Sequence, residues 1–230
     1  MLVGQALHVA QLSVGSPRPP HSLHGSFVGG PDGRLPLTYS VEETRSGKSF
    51  SARRVVAMQS GAVVFVMNVG FHDAEPSPGY ELTPTPDVPG PDDLPVGRYD
   101  TPWMESRDVP PQHDGRDPLR RHAWFRPKVA VPHDPLAHLQ VLAYLSDHGP
   151  TRAVREPHAQ HPGMDSRQSV SLDHSVWFHR PADVNGWLLS ELYPVFNGGA
   201  RGLALGSLRA QDGTLLATVA QEALFRVPPA

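Results

Sequence analysis

The sequence predicts an α+β protein made of two related units, each with one helix followed by four antiparallel strands. Two observations carry this prediction. The same order of helical and strand patterns occurs before and after a proline-rich stretch, over about 70 residues, as in an internal duplication. In addition, short glycine-containing connections join successive strand candidates, which is typical of antiparallel hairpins.

In the first unit, apolar residues at helical spacing predict a helix over Gly4–Val14. Ser46-Gly47 and Ser60-Gly61 separate the last three strand candidates, and glycine there is expected to supply the positive φ of a tight turn. These strands should therefore form an antiparallel meander. The four strand candidates are His21–Val28, Leu37–Thr44, Ser49–Met58 and Ala62–Phe71.

In the second unit, Asp134 and Pro135 predict a helix start, because Asp accepts bonds from free N–H groups at an N-cap and Pro suits the first helical position. An apolar stripe follows and ends near Asp147. Two strand candidates precede this helix, at Tyr99–Val109 and Arg121–Val131. Four follow it, at Asp173–Arg180, Trp187–Tyr193, Ala200–Arg209 and Leu215–Arg226.

Seven of the 26 prolines fall between Pro76 and Pro95. Proline lacks an N–H donor and keeps its predecessor out of the helical region, so this stretch can be neither helix nor inner strand. The sequence therefore predicts a first unit over 1–73, a linker over 74–98 draped on the surface, and a second unit over 99–230.

Bulk composition excludes several kinds of site. The chain has 230 residues and no cysteine, so disulfides and thiolate chemistry are excluded. A net charge of −3 offers no field that would attract nucleic acid. No apolar run is long enough to cross a bilayer, and the N-terminus does not resemble a secretory signal. No cofactor and no metal are expected.

Several longer motifs are far more specific. In the second half they are Ser171-Leu-Asp-His-Ser-Val-Trp-Phe-His-Arg-Pro181, Trp187-Leu-Leu, Ala200-Arg-Gly-Leu-Ala204 and Val219-Ala-Gln-Glu222; in the first half, His21-Ser-Leu-His24 and Gly47-Lys-Ser-Phe-Ser-Ala-Arg-Arg-Val55. These motifs closely resemble the TesB-like acyl-CoA thioesterase II family. The resemblance covers nearly the whole chain outside the linker. It implies a double hot-dog fold, in which each half wraps an antiparallel sheet around a central helix.

The resemblance also implies hydrolysis of acyl-CoA thioesters and a catalytic group in the second half. An Asp after Ser at the end of the helix is matched by Asp147, a hydroxyl two residues before an Asp-His-Ser motif by Ser171, and a Gln in the last strand by Gln221. Together they would hold the attacking water. Family members usually begin with a strand and a Phe-Gly-Gly-Gln stretch that this sequence lacks, so the first unit is expected to be clipped at its N-terminus.

The residues give partial support without the resemblance. Burial and the helix dipole at the C-terminal end would raise the pKa of Asp147 toward that of a general base, although most such carboxylates only end a helix. Alternation along Leu215–Phe225 points Gln221 into the core. A buried amide needs a partner, either a water shared with Asp147 or a structural bond to backbone. Ser171 alone carries almost no signal.

Histidines and arginines are the other candidates for site residues. His174 and His179 are five apart on a strand, so their rings should face opposite ways, which favours structural or solvated histidines over a metal pair. The forked guanidinium group of arginine suits the phosphates of CoA, but ordinary ion pairing at the surface explains these arginines equally well. The candidates for such contacts are Arg53, Arg54, Arg180 and Arg201.

Two other functions remain open at this stage. One is an enoyl-CoA hydratase, disfavoured by Gln221 and by the helix lacking an Asp and His pair. The other is an inactive acyl-CoA-binding protein, because the first unit is incomplete. A cytoplasmic location is expected, since the chain ends Val227-Pro-Pro-Ala230 without a peroxisomal address. Open sheet edges make a homo-oligomer the expected state.

Overall fold

The computed structural model describes residues 1–110, 119–158 and 169–226. In the first half, one helix is followed by four strands, as the sequence predicts. Alternation of buried and exposed side chains is clearest in β3, which presents one face to the core. The elements are α1 Leu2–Leu12, β1 Pro20–Phe27, β2 Thr38–Ser46, β3 Phe50–Gln59 and β4 Ala62–His72.

The second half has two strands, two helices and five further strands. Asp134 caps the first of these helices as predicted: its Oδ1 accepts from the N–H of Leu136 at 3.0 Å, and Pro135 occupies the first helical position. The elements are β5 Met104–Asp108, β6 Arg121–Pro127, α2 Pro135–Ser146, α3 Pro150–Arg155, β7 Ser169–Ser171, β8 Asp173–Phe178, β9 Leu188–Gly198, β10 Arg201–Ala210 and β11 Leu215–Phe225.

All these strands belong to one antiparallel sheet. Its two halves meet where β1 pairs with β8, with Leu23 opposite Val176 and His24 opposite Ser175. The sheet therefore runs without a break from the first half into the second. The strand order is β2-β3-β4-β1-β8-β11-β10-β9-β6-β5, with β7 paired to β11.

The two long helices lie on the core side of this sheet and pack against each other. Gly4 permits their close approach: a Cβ there would lie 3.1 Å from the carbonyl oxygen of Gln140 and 3.3 Å from the Cβ of Tyr144. Leu7 and Leu142 are fully buried in the same core cluster as strand residues of both halves. None of the described helices is long and apolar enough to cross a membrane.

Several element boundaries differ from the prediction, for physical reasons. β5 begins five residues late because the Thr101 hydroxyl accepts from the N–H groups of Trp103 and Met104 and forms a turn there. β6 ends at Pro127, which has no N–H for a ladder. Gly61 has the expected positive φ of 80°, but Gly47 is not among the residues with positive φ, so that expectation was wrong.

The proline-rich stretch 74–98 contains a single 3-10 turn at Pro91–Asp93, and side chains of the second half hold it in place. Trp124 Nε1 donates to the carbonyl oxygen of Pro89 at 2.9 Å. Glu81 accepts from Arg180 at 3.1 Å and from Arg209 at 2.6 Å. The division into units at 73 and 98 stays a prediction.

Candidate active site

Gln221 lies in the middle of β11, and strand alternation directs it inward as predicted. Its side chain is 1% exposed, between the buried Val219 and Ala223. Nε2 donates to Ser171 Oγ at 2.7 Å and to Thr151 Oγ1 at 3.2 Å. The Nε2 hydrogens are thus bonded to side-chain hydroxyls, and not to the backbone as one of the two alternatives had it.

Ser171 reaches Gln221 because β7 pairs with the C-terminal part of β11, where Ser171 is opposite Ala223. β7 ends before Leu172, whose N–H still donates to the carbonyl oxygen of Glu222 at 2.9 Å, and after this interruption the chain continues as β8. Asp173 stabilises this break, since its Oδ1 accepts from the N–H of Glu222 at 2.7 Å. Two of the three residues proposed from the sequence are therefore in direct hydrogen-bond contact.

Asp147 follows the last residue of α2 and is its C-cap. Burial raises the pKa of Asp147 to about 6, and the amino group of Met1 pulls it the other way. Within the described residues, the carboxylate makes no hydrogen bond or ion pair with a protein side chain, and it does not contact Ser171 or Gln221 directly. It is a desolvated carboxylate with its oxygens available, and the predicted direction of the pKa shift is confirmed.

Three residues join this site that the sequence did not suggest for it. Thr151, in the first turn of α3, lies 3.3 Å from Ser171 Oγ. His174 is fully buried on β8, where its Nδ1 lies 2.6 Å from Gln221 Oε1. On its other side, Nε2 lies 2.8 Å from the hydroxyl of Ser146, the residue before Asp147.

Alternation could have placed His174 in the core, because Val176, two residues on, is fully buried. Nothing in the sequence identified its partners, since Gln221 is 47 residues away. Thr151 carried no signal, because α3 has only six residues and follows a left-handed turn at Gly149, with φ 105°. Its helical form depends on packing of Ala153 and Val154 against the sheet, which a local pattern does not reveal.

Other candidates have different roles. His179 directly follows β8 and bonds to Thr218 Oγ1 at 2.8 Å, so it shares no partner with His174. Arg53 is 2% exposed, and its guanidinium bonds Ser13, Arg45 and Glu43 side-chain or backbone oxygens, so the interpretation as a phosphate contact is wrong for this residue. Across the described ranges, no three His, Asp or Glu side chains are grouped as metal ligands would be.

Two cavities are lined in part by residues close to Asp147 in the chain. An open groove of about 540 Å³ runs between α1 and α2 and includes Gly4, Val9, Tyr39 and Tyr144. A less open cavity of about 270 Å³ is lined by, among others, Tyr99, Arg121, Phe125, His148, Gly149 and Arg152. Tyr144, three residues before Asp147, lines the groove, and His148, the residue after it, lines the cavity.

Comparison with known proteins gives a consistent result. Residues 1–72 match the model of the acyl-CoA thioesterase N-terminal domain, and residues 78–225 match that of the C-terminal domain. Acyl-coenzyme A thioesterase 8 of Homo sapiens is 36% identical over 99% of this chain and 80% of the relative.

Two solved structures extend the comparison to the fold. The crystal structure of acyl-CoA thioesterase II TesB2 from Mycobacterium marinum superimposes with a TM-score of 0.86, at 35% identity, over 98% of this chain and 87% of that one. A hot-dog-fold protein of unknown function from Alicyclobacillus acidocaldarius superimposes with a TM-score of 0.79, at 20% identity, over 99% of this chain and 86% of that one. The α+β architecture is therefore the double hot-dog fold.

Proposed function

Because the chain belongs to the acyl-CoA thioesterase family, we propose that it hydrolyses acyl-CoA thioesters to a free fatty acid and CoA. The observation that carries the proposal is the desolvated carboxylate of Asp147, whose chain neighbours Tyr144 and His148 each line a cavity. It lies in the short connection between Ser146, the last residue of α2, and Thr151, in the first turn of α3, and both of these bond into the network around Gln221 and Ser171.

In the proposed mechanism Asp147 is the general base. With a pKa of about 6, it is mostly ionised at neutral pH yet basic enough to take a proton from water. The water oxygen attacks the thioester carbon, and the tetrahedral intermediate collapses with release of CoA thiolate, which takes up a proton. Ser171 and Gln221 hold and orient the water. Backbone N–H groups would stabilise the oxyanion, since fixed donors in a desolvated site are effective there.

We propose that the acyl chain occupies the groove between α1 and α2. Its lining combines aliphatic and aromatic surface, including Val9, Tyr39, Val141 and Tyr144, which suits a hydrocarbon chain. One wall comes from the first unit and the other from the second. The first unit therefore contributes to substrate length selection, while the proposed chemistry lies in the second.

We also propose that the protein forms homo-oligomers and acts in the cytoplasm. β2 and β5 are the two ends of the sheet among the described residues, and β2 is largely exposed, so each presents unpaired backbone groups to another chain. Sedimentation velocity would test the association. A purely monomeric species across a wide concentration range would refute it, and fractionation of cells would test the location.

The central experiment measures CoA release with a thiol reagent from short, medium and long acyl-CoAs. Wild type is compared with Asp147→Asn and with a matched control, Asp134→Asn. Asparagine remains a good N-cap at position 134, so the control should behave as wild type. We expect Asp147→Asn to lower kcat at least a hundredfold.

Activity that survives in Asp147→Asn would support the proposed reaction but refute Asp147 as its general base. A folded wild-type protein without activity on any chain length would instead favour an acyl-CoA-binding protein. Formation of 3-hydroxyacyl-CoA from enoyl-CoA would favour a hydratase.

A further inference from the structure

Four side chains from four elements form one continuous hydrogen-bond chain. Ser146 Oγ at the end of α2 contacts His174 Nε2 at 2.8 Å, and His174 Nδ1 contacts Gln221 Oε1 at 2.6 Å. Gln221 Nε2 then donates to Ser171 Oγ at 2.7 Å. This series of hydrogen bonds connects Ser146, the residue before Asp147, with the Ser171 hydroxyl that is proposed to hold water. His174 lies between Ser146 and Gln221 in the series.

The protonation state of His174 determines the direction of these bonds. His174 has no exposed surface, and burial lowers its pKa to about 4, so the imidazole is neutral at pH 7. A neutral imidazole has one N–H donor and one acceptor nitrogen. An amide oxygen can only accept, so Nδ1 must carry the hydrogen that bonds Gln221 Oε1. Nε2 is then an acceptor, and the Ser146 hydroxyl shares its one hydrogen between Nε2 and the carbonyl oxygen of Ala143, which is 2.9 Å from Ser146 Oγ.

We propose that His174 is a positioning residue for the thioesterase reaction, holding the Gln221 amide with its NH2 group toward Ser171. This inference rests on the proposed function and adds to it the residue that sets the direction of the network. The amide has two orientations of nearly equal shape, related by a 180° rotation about its last bond, and packing alone selects poorly between them. The Nδ1–H donor selects one, because the other would place the NH2 group against an N–H.

The selected orientation matters for Ser171. When Gln221 donates to Ser171 Oγ, that oxygen already accepts a hydrogen bond, and its own hydrogen can be donated to water, to the substrate or to Thr151 Oγ1 at 3.3 Å. In the rotated amide the carbonyl oxygen would face Ser171 and draw that hydrogen away. In the same way, Thr151 Oγ1 accepts a hydrogen bond from Gln221 Nε2, which is 3.2 Å away. His174 therefore acts on the reaction through Gln221, without touching water or substrate itself.

The tautomer can be measured without any assay of activity. The protein has 13 histidines, and the His174 signals in a ¹⁵N-labelled sample are the set lost in a His174→Asn variant. We expect long-range ¹H–¹⁵N correlations at pH 7 to show a neutral ring protonated on Nδ1. A ring protonated on Nε2 would mean that the amide is rotated and would overturn the proposal.

Two substitutions separate the two contacts of the ring. In His174→Asn the side-chain NH2 group can occupy the position of Nδ1 and still donate to Gln221, whereas the amide of His174→Gln reaches the position of Nε2 and contacts Ser146. We expect His174→Gln to lower kcat about tenfold more than His174→Asn, with little change in KM. Equal losses in kcat for the two variants would contradict a role in orienting Gln221.

A double-mutant cycle distinguishes positioning from general loss of stability. In a Gln221→Met background there is no amide to orient, so His174→Gln should cause little further loss of kcat, although it still lowers the melting temperature. Multiplicative losses of kcat would overturn the proposal. Failure of the proposed function is recognised separately, because wild type would then release no CoA while the tautomer measurement still decides the geometry of His174.

Discussion

Arg209 donates from Nη1 to Glu81 Oε1 at 2.6 Å, and this contact ties the proline-rich stretch to the middle of the sheet. The arginine is 1% exposed on β10 and also donates to the carbonyl oxygens of Thr83 and Gly213. The hydrogen bond from Arg209 lowers the pKa of Glu81, so the carboxylate is ionised at neutral pH and matches the buried cation. These contacts hold in place a stretch whose own regular structure is one 3-10 turn and one β-bridge, at Val96.

Replacing Arg209 should therefore destabilise the protein. Arg209→Met keeps the length of the side chain but removes three charge-assisted bonds, and we expect the free energy of unfolding to fall by about 2 kcal/mol. The matched control is Arg201→Met on the same strand, where the side chain is 57% exposed and should matter by less than about 0.5 kcal/mol. Urea denaturation followed by circular dichroism measures both. Similar losses for the two variants would show that the buried contacts contribute little.

The activity should depend on the ionisation of Asp147. Its pKa is raised to about 6 by burial, and only the ionised form can accept a proton from water. We expect kcat/KM to increase with pH and to level off above an apparent pKa near 6. The measurement is CoA release between pH 4.5 and 8.5 on a substrate of fixed chain length. A rate that does not change across this range would exclude Asp147 as the base.

The raised pKa of Asp147 also makes stability depend on pH, but stability should decrease with pH whereas activity should increase. A carboxyl group whose pKa is higher in the folded state than in the unfolded chain stabilises the fold at low pH, and this contribution is lost as the pH rises through about 6. Asp147→Asn should therefore melt at a higher temperature than wild type at pH 7.5, and the difference should vanish near pH 4. A lower melting temperature for the variant at pH 7.5 would contradict this reasoning.

The hydroxyl of Ser171 should matter more than its shape. Ser171→Ala removes the partner at 2.7 Å from Gln221 Nε2 and leaves Thr151 at 3.2 Å, so we expect kcat to fall about a hundredfold with little change in KM. Ser171→Thr, which keeps a hydroxyl, should retain most of the activity. Thr218→Val is the control, because that hydroxyl bonds His179 on the other face of β11. An active Ser171→Ala variant would remove this residue from the proposed site.

The groove between α1 and α2 should set acyl length. Val9 lines it, and Val9→Trp would fill part of its volume of about 540 Å³, so the preferred acyl-CoA should become shorter by several carbons. Leu12→Trp is the control on the same helix, at a position that is 74% exposed. The ratio of kcat/KM between short and long acyl-CoAs is the readout. An unchanged ratio in Val9→Trp would place the acyl chain elsewhere.

Local patterns predicted much of this architecture because they act over short distances. Asp134 and Pro135 marked the start of α2, and period-2 alternation placed Gln221 in the core. Both depend on the chemistry of neighbouring residues only. The extra residues of β9 beyond Tyr193 were missed because their strand form comes from pairing with β10.

Less of the candidate site could be predicted from local sequence patterns. Its members come from α2, α3, β7, β8 and β11, and their approach depends on sheet register. Resemblance to the family supplied Asp147, Ser171 and Gln221 as a group. It did not supply His174 or Thr151, whose hydrogen bonds depend on where two buried polar side chains meet after folding.

The seam, where β1 pairs with β8, joins two halves of different sequence. A dimer of identical subunits is under a constraint that does not apply here. In a symmetric pair every substitution appears twice, so a change that improves one site must also be tolerated at its copy. Here His24 meets Ser175 across the seam at 3.0 Å, a contact between unlike residues that no two-fold axis repeats. One half can therefore specialise in forming a wall of the proposed acyl groove and the other in carrying the proposed catalytic residues. Each half can then change in sequence without a matching change in the other.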